Sequence, residues 1–479
     1  MRPSPYDLLV IGGGPAGLAA AVEAAETGLS VCVVDERPTF GGQIFKQPGR
    51  GFHITSVRAL GPDYVRGRRL IEAAERSGAT LLSRTSAVAI RGTSVVLVED
   101  GEHARAVEAQ RVIVAAGAHD RPVVFPGWTL PGVITAGGVQ SLVKTQRVVP
   151  GQSIVFAGSG PLALAFPAQL RAYGANVTLV LEAGPAPSAR DVVRLMRASR
   201  GNKRLLRDAL AYRVRLARDR VPLRYRRIVV RAEGDARVEQ VVHAAADDAW
   251  HPVPGTEEAV SADTLCVGYG FQPSTELLRL AGCTFADDED LGGPVVVRDE
   301  WLRTSVEGVS AAGDGTGVAG SYAAVDEGRL AALGSALDLG ALSREEAARR
   351  AGPLRRDLAR KEAFRAALRP LHAVGQGIYE LAGGDTVVCR CEELTAAELD
   401  RAISSSTDVN AVKAVSRVTM GLCQGRNCQR HVAAAIARRH GRSVGELPVA
   451  TPRMPVRPVA IAAVADASIE DGGYFTRDD

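Results

Sequence analysis

The sequence predicts an α/β chain of two dinucleotide-binding units with a small helical, cysteine-bearing domain behind them. Three observations predict it. The stretch Tyr6–Gln43 runs from an apolar strand through a glycine cluster and an alanine-rich helix to a second apolar strand that ends in acid. A second stretch, from Ser153, repeats that order. Four of the seven cysteines fall in the late pattern Cys389-x-Cys391 and Cys423-x4-Cys428.

In the first stretch Gly12, Gly14 and Gly17 hold the GxGxxG spacing, and Pro15 and Ala16 lie between them. The glycines serve a tight turn, close backbone approach to a pyrophosphate and close helix–strand packing. The helix they open points its N–H groups and positive dipole end at the phosphates. A lone glycine motif is weak evidence. Here the strand before, the helix after and an acid about 20 residues on all agree. Asp35 directly ends the apolar run and is the expected ribose ligand, with Glu36 as the alternative. Arg37, Gly42 and Gln43 complete the cofactor-facing loop.

Composition sets the class. With 46% hydrophobic and 23% charged residues the 479-residue chain reads as a globular protein of two to four domains. A net charge of +4 is too small to argue for nucleic acid. No apolar run approaches the roughly 18 residues of a membrane span. The first strand starts within a few residues of Met1, which leaves no room for a signal peptide. A cytoplasmic protein is the expectation. An odd number of cysteines does not suggest a disulfide framework.

Taken in order, the chain next predicts a helix over about Asp63–Ser77, then short β-runs through Val98, with Val88 as a further cofactor contact. Arg111–Ala115 reads as a buried strand closed by a turn at Ala116–Gly117. The second unit, SIVFAGSGPLALAFPAQLRAYGANVTLVLE, places Gly158, Gly160 and Ala163 as GxGxxA and ends its second strand in Glu182. Acid there favours NAD over NADP, although a fold can keep its glycine turn without its ligand. Pro167 should kink the helix between. Ser188–Arg231 carries 15 Lys/Arg against three Asp. It reads as a pair of solvated amphipathic helices or as a docking face for an acidic partner. Asp263–Cys283 returns the chain. A strand at Gly308–Ala311 then meets Gly313–Asp314, and a helix starts near Tyr322. Ser343–Leu371 is charged, alanine-rich and helical.

Thiolates are the soft ligands of iron–sulfur clusters, which need four. Each cysteine pair precedes a helix, Thr395–Ile403 or His431–His440, whose N-terminal dipole suits a negative cluster. Structural zinc is the rival, but it more often shows C-x2–4-C in both halves. A 2Fe–2S centre is therefore expected on Cys389, Cys391, Cys423 and Cys428, with zinc and free thiols as the alternatives.

The Ala116–Gly117 turn and the Gly313–Asp314 motif resemble those of two-dinucleotide-binding-domain flavoproteins of the glutathione/thioredoxin-reductase type. With LGPDY, FPGWTLPGV and DVNAVKAVSRVTMGLCQGRNC, nearly the whole chain resembles the A (alpha) subunit of bacterial heteromeric flavin dehydrogenases. That family includes opine oxidases, hydrogen cyanide synthases and multi-subunit proline or hydroxyproline dehydrogenases. The last domain is similar to bacterioferritin-associated ferredoxin. The resemblance implies an FAD-binding domain from 1–147 and 286–342, with Asp314 on the ribitol and the following helix aimed at the flavin pyrimidine. It implies a second nucleotide domain at 148–285, a helical linker at 343–384, a 2Fe–2S domain at 385–447 and an extension at 448–479. It also implies an amino-acid-oxidase-like FAD subunit (beta) as partner, with or without a small ferredoxin-like gamma subunit, and an external electron acceptor. FMN at a subunit interface and attachment to the inner membrane through partners stay open. The activity implied is oxidation of an amino acid, imino acid or opine at its C–N bond. The competing expectation is a self-contained NAD(P)H-dependent reductase, and a redox-sensing scaffold is a third. No general base can be named. Thiol–disulfide chemistry is unexpected, since no C-x2-C or C-x4-C pair stands in either nucleotide unit and Cys32 is alone in a strand.

Overall fold

A computed structural model describes residues 6–49, 51–55, 60–199 and 203–470, arranged as two compact units. The expected spans at 1–5 and 471–479, and residues 200–202 of the basic stretch, lie outside the described residues.

The first unit comprises 1–118, 272–361 and 451–479. Its parallel sheet has the order 80–83, 31–35, 6–11, 109–114 and 309–311. Strands buried on both faces must be continuously apolar, and Leu8, Leu9, Val10, Val33, Val112 and Ile113 are all fully buried. The strand His103–Val114 serves two sheets. Its second half joins the parallel sheet, and its first half pairs antiparallel with Ser94–Glu99, which pairs with Thr85–Arg91. The helices Pro15–Ala25 and Ser321–Asp338 pack closely because small residues face each other. A side chain at Gly328 would strike the carbonyl of Ala16.

The second unit comprises 119–271 and 362–450. Its five-stranded parallel sheet has the order 223–225, 177–182, 154–158, 264–268 and 133–135. An antiparallel sheet of Arg227–Glu233, Gln240–Ala245 and Glu258–Ser261 accompanies it. The helix Pro161–Ala172 runs on through Pro167. The basic stretch forms the amphipathic helices Ala189–Ala198 and Lys203–Arg218, which leave Val192, Val193, Met196, Leu210 and Val214 exposed.

The units differ from the spans expected of the sequence in three places. Residues 119–147 group with the second unit, because Val133–Thr135 is a strand of its sheet. The expected linker is a helix, Arg344–His372, whose first part belongs to the first unit and whose last turns belong to the second. The expected extension rejoins the first unit, with Val456 and Ala463 buried in its core groups.

The cysteine-bearing segment groups with the second unit. Its helices Ala396–Ile403, Val409–Ser416 and Gln429–His440 share a core of Leu399, Ile403, Val412, Val432 and Ile436. His431 is buried there, with its Nε2 3.0 Å from the Pro122 carbonyl and its ring edge-on to Tyr379. The buried guanidinium of Arg121 donates to the Tyr379 hydroxyl. Among the described residues no helix is long and apolar enough to cross a membrane.

Candidate functional site

In the first unit the strand Tyr6–Ile11 delivers Gly12–Gly14 to the N-terminus of the helix Pro15–Ala25. A side chain at Gly17 would strike the Gly12 carbonyl, so only hydrogen lets the helix sit this close to the turn. Gly12, Gly14 and Pro15 remain partly exposed at the carboxyl edge of the sheet, and Ala116 is exposed. Asp35 is buried beside this loop. Its Oδ2 accepts the Gly13 N–H (2.7 Å) and its Oδ1 the Arg37 N–H (2.8 Å). Burial pushes its pKa up, against those two bonds. Glu36 is exposed and pairs with Arg457 at 3.0 Å. The loop through Gly42 and Gln43 passes close by. Gly41 N–H donates to the Gly13 carbonyl (2.8 Å), and a side chain at Gly42 would come 2.9 Å from Gly14 Cα.

The Gly313–Asp314 turn meets this place from the other end of the sequence. A side chain at Gly313 would come 2.9 Å from Ala16 Cβ, and one at Gly315 would come 3.1 Å from Gly117 N. Asp314 Oδ1 accepts the N–H groups of Ala319 (3.0 Å) and Gly320 (2.8 Å), just before the helix Ser321–Asp338. Burial pushes its pKa up as well. Sequence reasoning missed the latch on this turn. Glu327, two turns into that helix, accepts the Gly313 N–H (2.8 Å) and pairs with Arg298 (3.0 Å). The only signal was an acid on an otherwise small-residue helix face.

Val88 stands within the strand Thr85–Arg91. It is the unpaired residue of a β-bulge between Ala87 and Ala89, and its side chain is fully buried. Its carbonyl accepts the Val456 N–H (2.9 Å).

The second glycine loop is built alike and is more buried, although Pro161 at the start of its helix is exposed. Gly158, Ser159 and Gly160 are buried, and so is Ala163. Glu182 lies 3% exposed and turns back to the loop. Its Oε2 accepts the Gly160 N–H (3.1 Å) and its Oε1 the Gly184 N–H (2.8 Å). Burial pushes this carboxyl up to about 7. The end of the helix Arg344–His372 lies on the same loop. A side chain at Gly160 would begin 3.6 Å from His372 Cγ, and one at Gly184 would strike the Leu371 carbonyl. Burial holds His372 down to about 4, hence neutral. Sequence pattern put Glu182 at the right strand end but could not show that a helix from much later in the chain would cover it.

The four late cysteines come together in the second unit. Cys428 Sγ lies 3.8 Å from Cys389 Sγ and also hydrogen-bonds Cys423, which in turn bonds Cys391. Backbone N–H groups of Glu392, Thr419 and Cys391 reach Cys389, and those of Asn427 and Gly425 reach Cys423. Glu393, Arg417, Thr419 and Gln424 adopt positive φ (53°, 64°, 71° and 53°), strain that turns the loops inward around the sulfurs. The Cys428 thiol, as donor, pulls Cys389 down to about 6 and Cys423 to about 5. Its own pKa is raised well above normal, first by its bond to Cys389. Cys391 is the exposed member. Four soft donors ringed by N–H groups fit an iron–sulfur cluster.

A family model for pyridine nucleotide-disulphide oxidoreductases matches residues 6–328, and the chain belongs to that family. It is thus an oxidoreductase of flavoprotein type, and the family supports FAD as a cofactor. A second model, the sarcosine oxidase A3 domain, matches 384–467. The chain is 35% identical over 463 residues to hydrogen cyanide synthase subunit HcnB of Pseudomonas protegens, covering 95% of this chain and 96% of that one. It is 34% identical over 472 residues to the A subunit of the opine oxidase of Agrobacterium tumefaciens, covering 96% and 91%. The fold is similar to that of L-proline dehydrogenase from P. horikoshii, with a TM-score of 0.68 at 21% identity over 96% of this chain and 79% of that one.

Proposed function

We propose that the chain is an FAD- and 2Fe–2S-containing electron-transfer subunit of a heteromeric dehydrogenase that oxidises an amino acid, imino acid or opine at its C–N bond. The observation that carries this reading is the contrast between the two glycine loops. The first is partly open, with its helix N-terminus available to a pyrophosphate. In the second, Gly158, Ser159 and Gly160 are all buried, with Glu182 folded back on the loop. The C-terminal end of a helix, with its partial negative charge, lies where an anionic pyrophosphate would need room. That crowding supports a partner-fed subunit over the self-contained NAD(P)H reductase.

In the first loop Asp35 would take the adenosine ribose, since each carboxylate oxygen keeps acceptor capacity beyond its one backbone bond. Asp314 would hold the ribitol with Oδ2, and Glu327 and Arg298 would keep its turn in place. The N-terminus of Ser321–Asp338 would favour negative charge on the flavin pyrimidine side. Cys389, Cys391, Cys423 and Cys428 would hold the cluster. When bound, flavin accepts electron pairs and a 2Fe–2S centre passes single electrons on.

Electrons would come from an amino-acid-oxidase-like FAD subunit, where the donor loses a hydride and a proton to become an imine. They would leave to an external acceptor. A gamma subunit, an interfacial FMN and a cytoplasmic site attached or not to the inner membrane are compatible with this reading. The names of the opine oxidase and hydrogen cyanide synthase relatives, both given as subunits, support it.

The test is co-purification with the neighbouring subunits and anaerobic titration with amino acids and opines. The expected result is bleaching of the flavin band together with the electron paramagnetic resonance signal of a reduced 2Fe–2S centre. Reduction of the flavins with no reduced-cluster signal under any donor would refute the electron-transfer role.

A further inference from the structure

In the first unit the last described segment returns to the edge of the dinucleotide site. Three contacts fix it there. The Val456 N–H donates to the Val88 carbonyl (2.9 Å) at the bulge of the strand Thr85–Arg91. Arg457 pairs with Glu36 at 3.0 Å. Val456 is buried in a core group that includes Ile11 and Val34, the residues just before the glycine loop and just before Asp35. The helix Ile461–Glu470 anchors the segment, with Ala463 fully buried beside Val88 and Ala89. Ligands of open parallel sheets lie outside the carboxyl ends of the strands, and the acid ending the second strand meets the adenosine ribose. A segment pinned to the residue after that acid therefore stands beside the adenosine half of the site.

We propose that the segment Val456–Arg457 is a working part of the dinucleotide site: it walls the adenosine half, and Arg457 is a positioning residue that holds Glu36 away from the ribose. Asp35 is thereby left as the sole ribose acid, and the second carboxylate beside it is neutralised. Without the pair, Glu36 and Asp35 would compete for one diol and repel each other across adjacent positions. This inference rests on the first loop holding a dinucleotide.

The test uses the full-length chain, stripped of flavin, and measures the affinities of FAD, ADP and FMN. ADP carries the adenosine half alone, and FMN lacks it. Arg457→Ala is expected to weaken FAD and ADP about fivefold, the upper range for a part-exposed ion pair, and to leave FMN unchanged. Arg457→Glu, which sets two carboxylates side by side, should weaken both by about tenfold or more. The swap Glu36→Arg with Arg457→Glu should return ADP affinity to within about twofold of the starting chain. Arg457→Lys should also recover most of it. Melting of the stripped protein is a control, since a merely structural role would lower stability and affect all three ligands alike. ADP affinity unchanged in Arg457→Glu, or lost equally with FMN, overturns the inference while leaving the cofactor reading intact. If the unaltered chain binds neither FAD nor ADP, the cofactor reading itself fails and the inference falls with it.

Discussion

Replacing Glu182 by Gln should change how stability depends on pH, by an amount that follows from its burial. In the folded chain this carboxyl is raised from the usual 4.5 to about 7, with burial as the first cause. An acid whose folded pKa is raised favours folding while it is protonated. That contribution is complete below about pH 4.5 and is lost as pH rises through 7. A shift of this size corresponds to about 3 kcal/mol between pH 4.5 and well above 7. Gln cannot ionise, so its slope from this site is zero. His372 and His431, both held down to about 4, act in the opposite sense. They contribute stability above pH 6.5 that is lost as pH falls towards 4, and they cancel when parent and variant are compared. The assay is denaturant unfolding of both proteins at several pH values between 5 and 8.5. Parent stability should fall relative to the variant by about 2–3 kcal/mol over that range. The absolute offset at pH 5 is not the test, since Gln replaces one acceptor by a donor facing an N–H. Parallel pH profiles would refute a neutral, sealed Glu182 and reopen the second loop as a nucleotide site.

Other expectations concern the remaining elements. Cys423→Ser should abolish the cluster's visible absorbance and electron delivery to the external acceptor while flavin stays bound; unimpaired delivery would point to a structural cluster instead. Gly328→Ala should cost about 1–3 kcal/mol of stability in thermal melts, because a methyl there meets the Ala16 carbonyl rather than a flexible side chain. His431→Ala should cost about 2–4 kcal/mol, from the buried ring and its bond to the Pro122 carbonyl, and should speed cluster loss to chelators. Glu327→Gln should speed FAD release severalfold without changing cluster content, since it loosens only the Gly313 turn.

The local signals carried far. The strand–glycine–helix–strand pattern at Tyr6–Asp35 and its repeat at Ile154–Glu182 appear as read, because tight turns and buried parallel strands leave strong local marks. The helices after each cysteine pair start within a residue or two of expectation, at Ala396 and Gln429. What sequence hid was contact between distant segments. Nothing local to Glu182 shows that Leu371 and His372 cover its loop. Nothing near Val88 shows that its carbonyl belongs to Val456. The expected linker at 343–384 looked like a spacer because its charges are spread around the helix, yet Ala347, Ala351 and Leu354 are core residues of the first unit. The pairing of Glu36 with Arg457, on which the proposed preference for Asp35 draws, was likewise invisible in the local sequence.

The central claim is that electrons enter from a partner and not from nicotinamide. The most direct test mixes the purified chain anaerobically with NADH, and separately with NADPH, while the flavin absorbance band is followed. No bleaching by either is expected, with dithionite still reducing both flavin and cluster. Rapid bleaching by either nucleotide would contradict the claim.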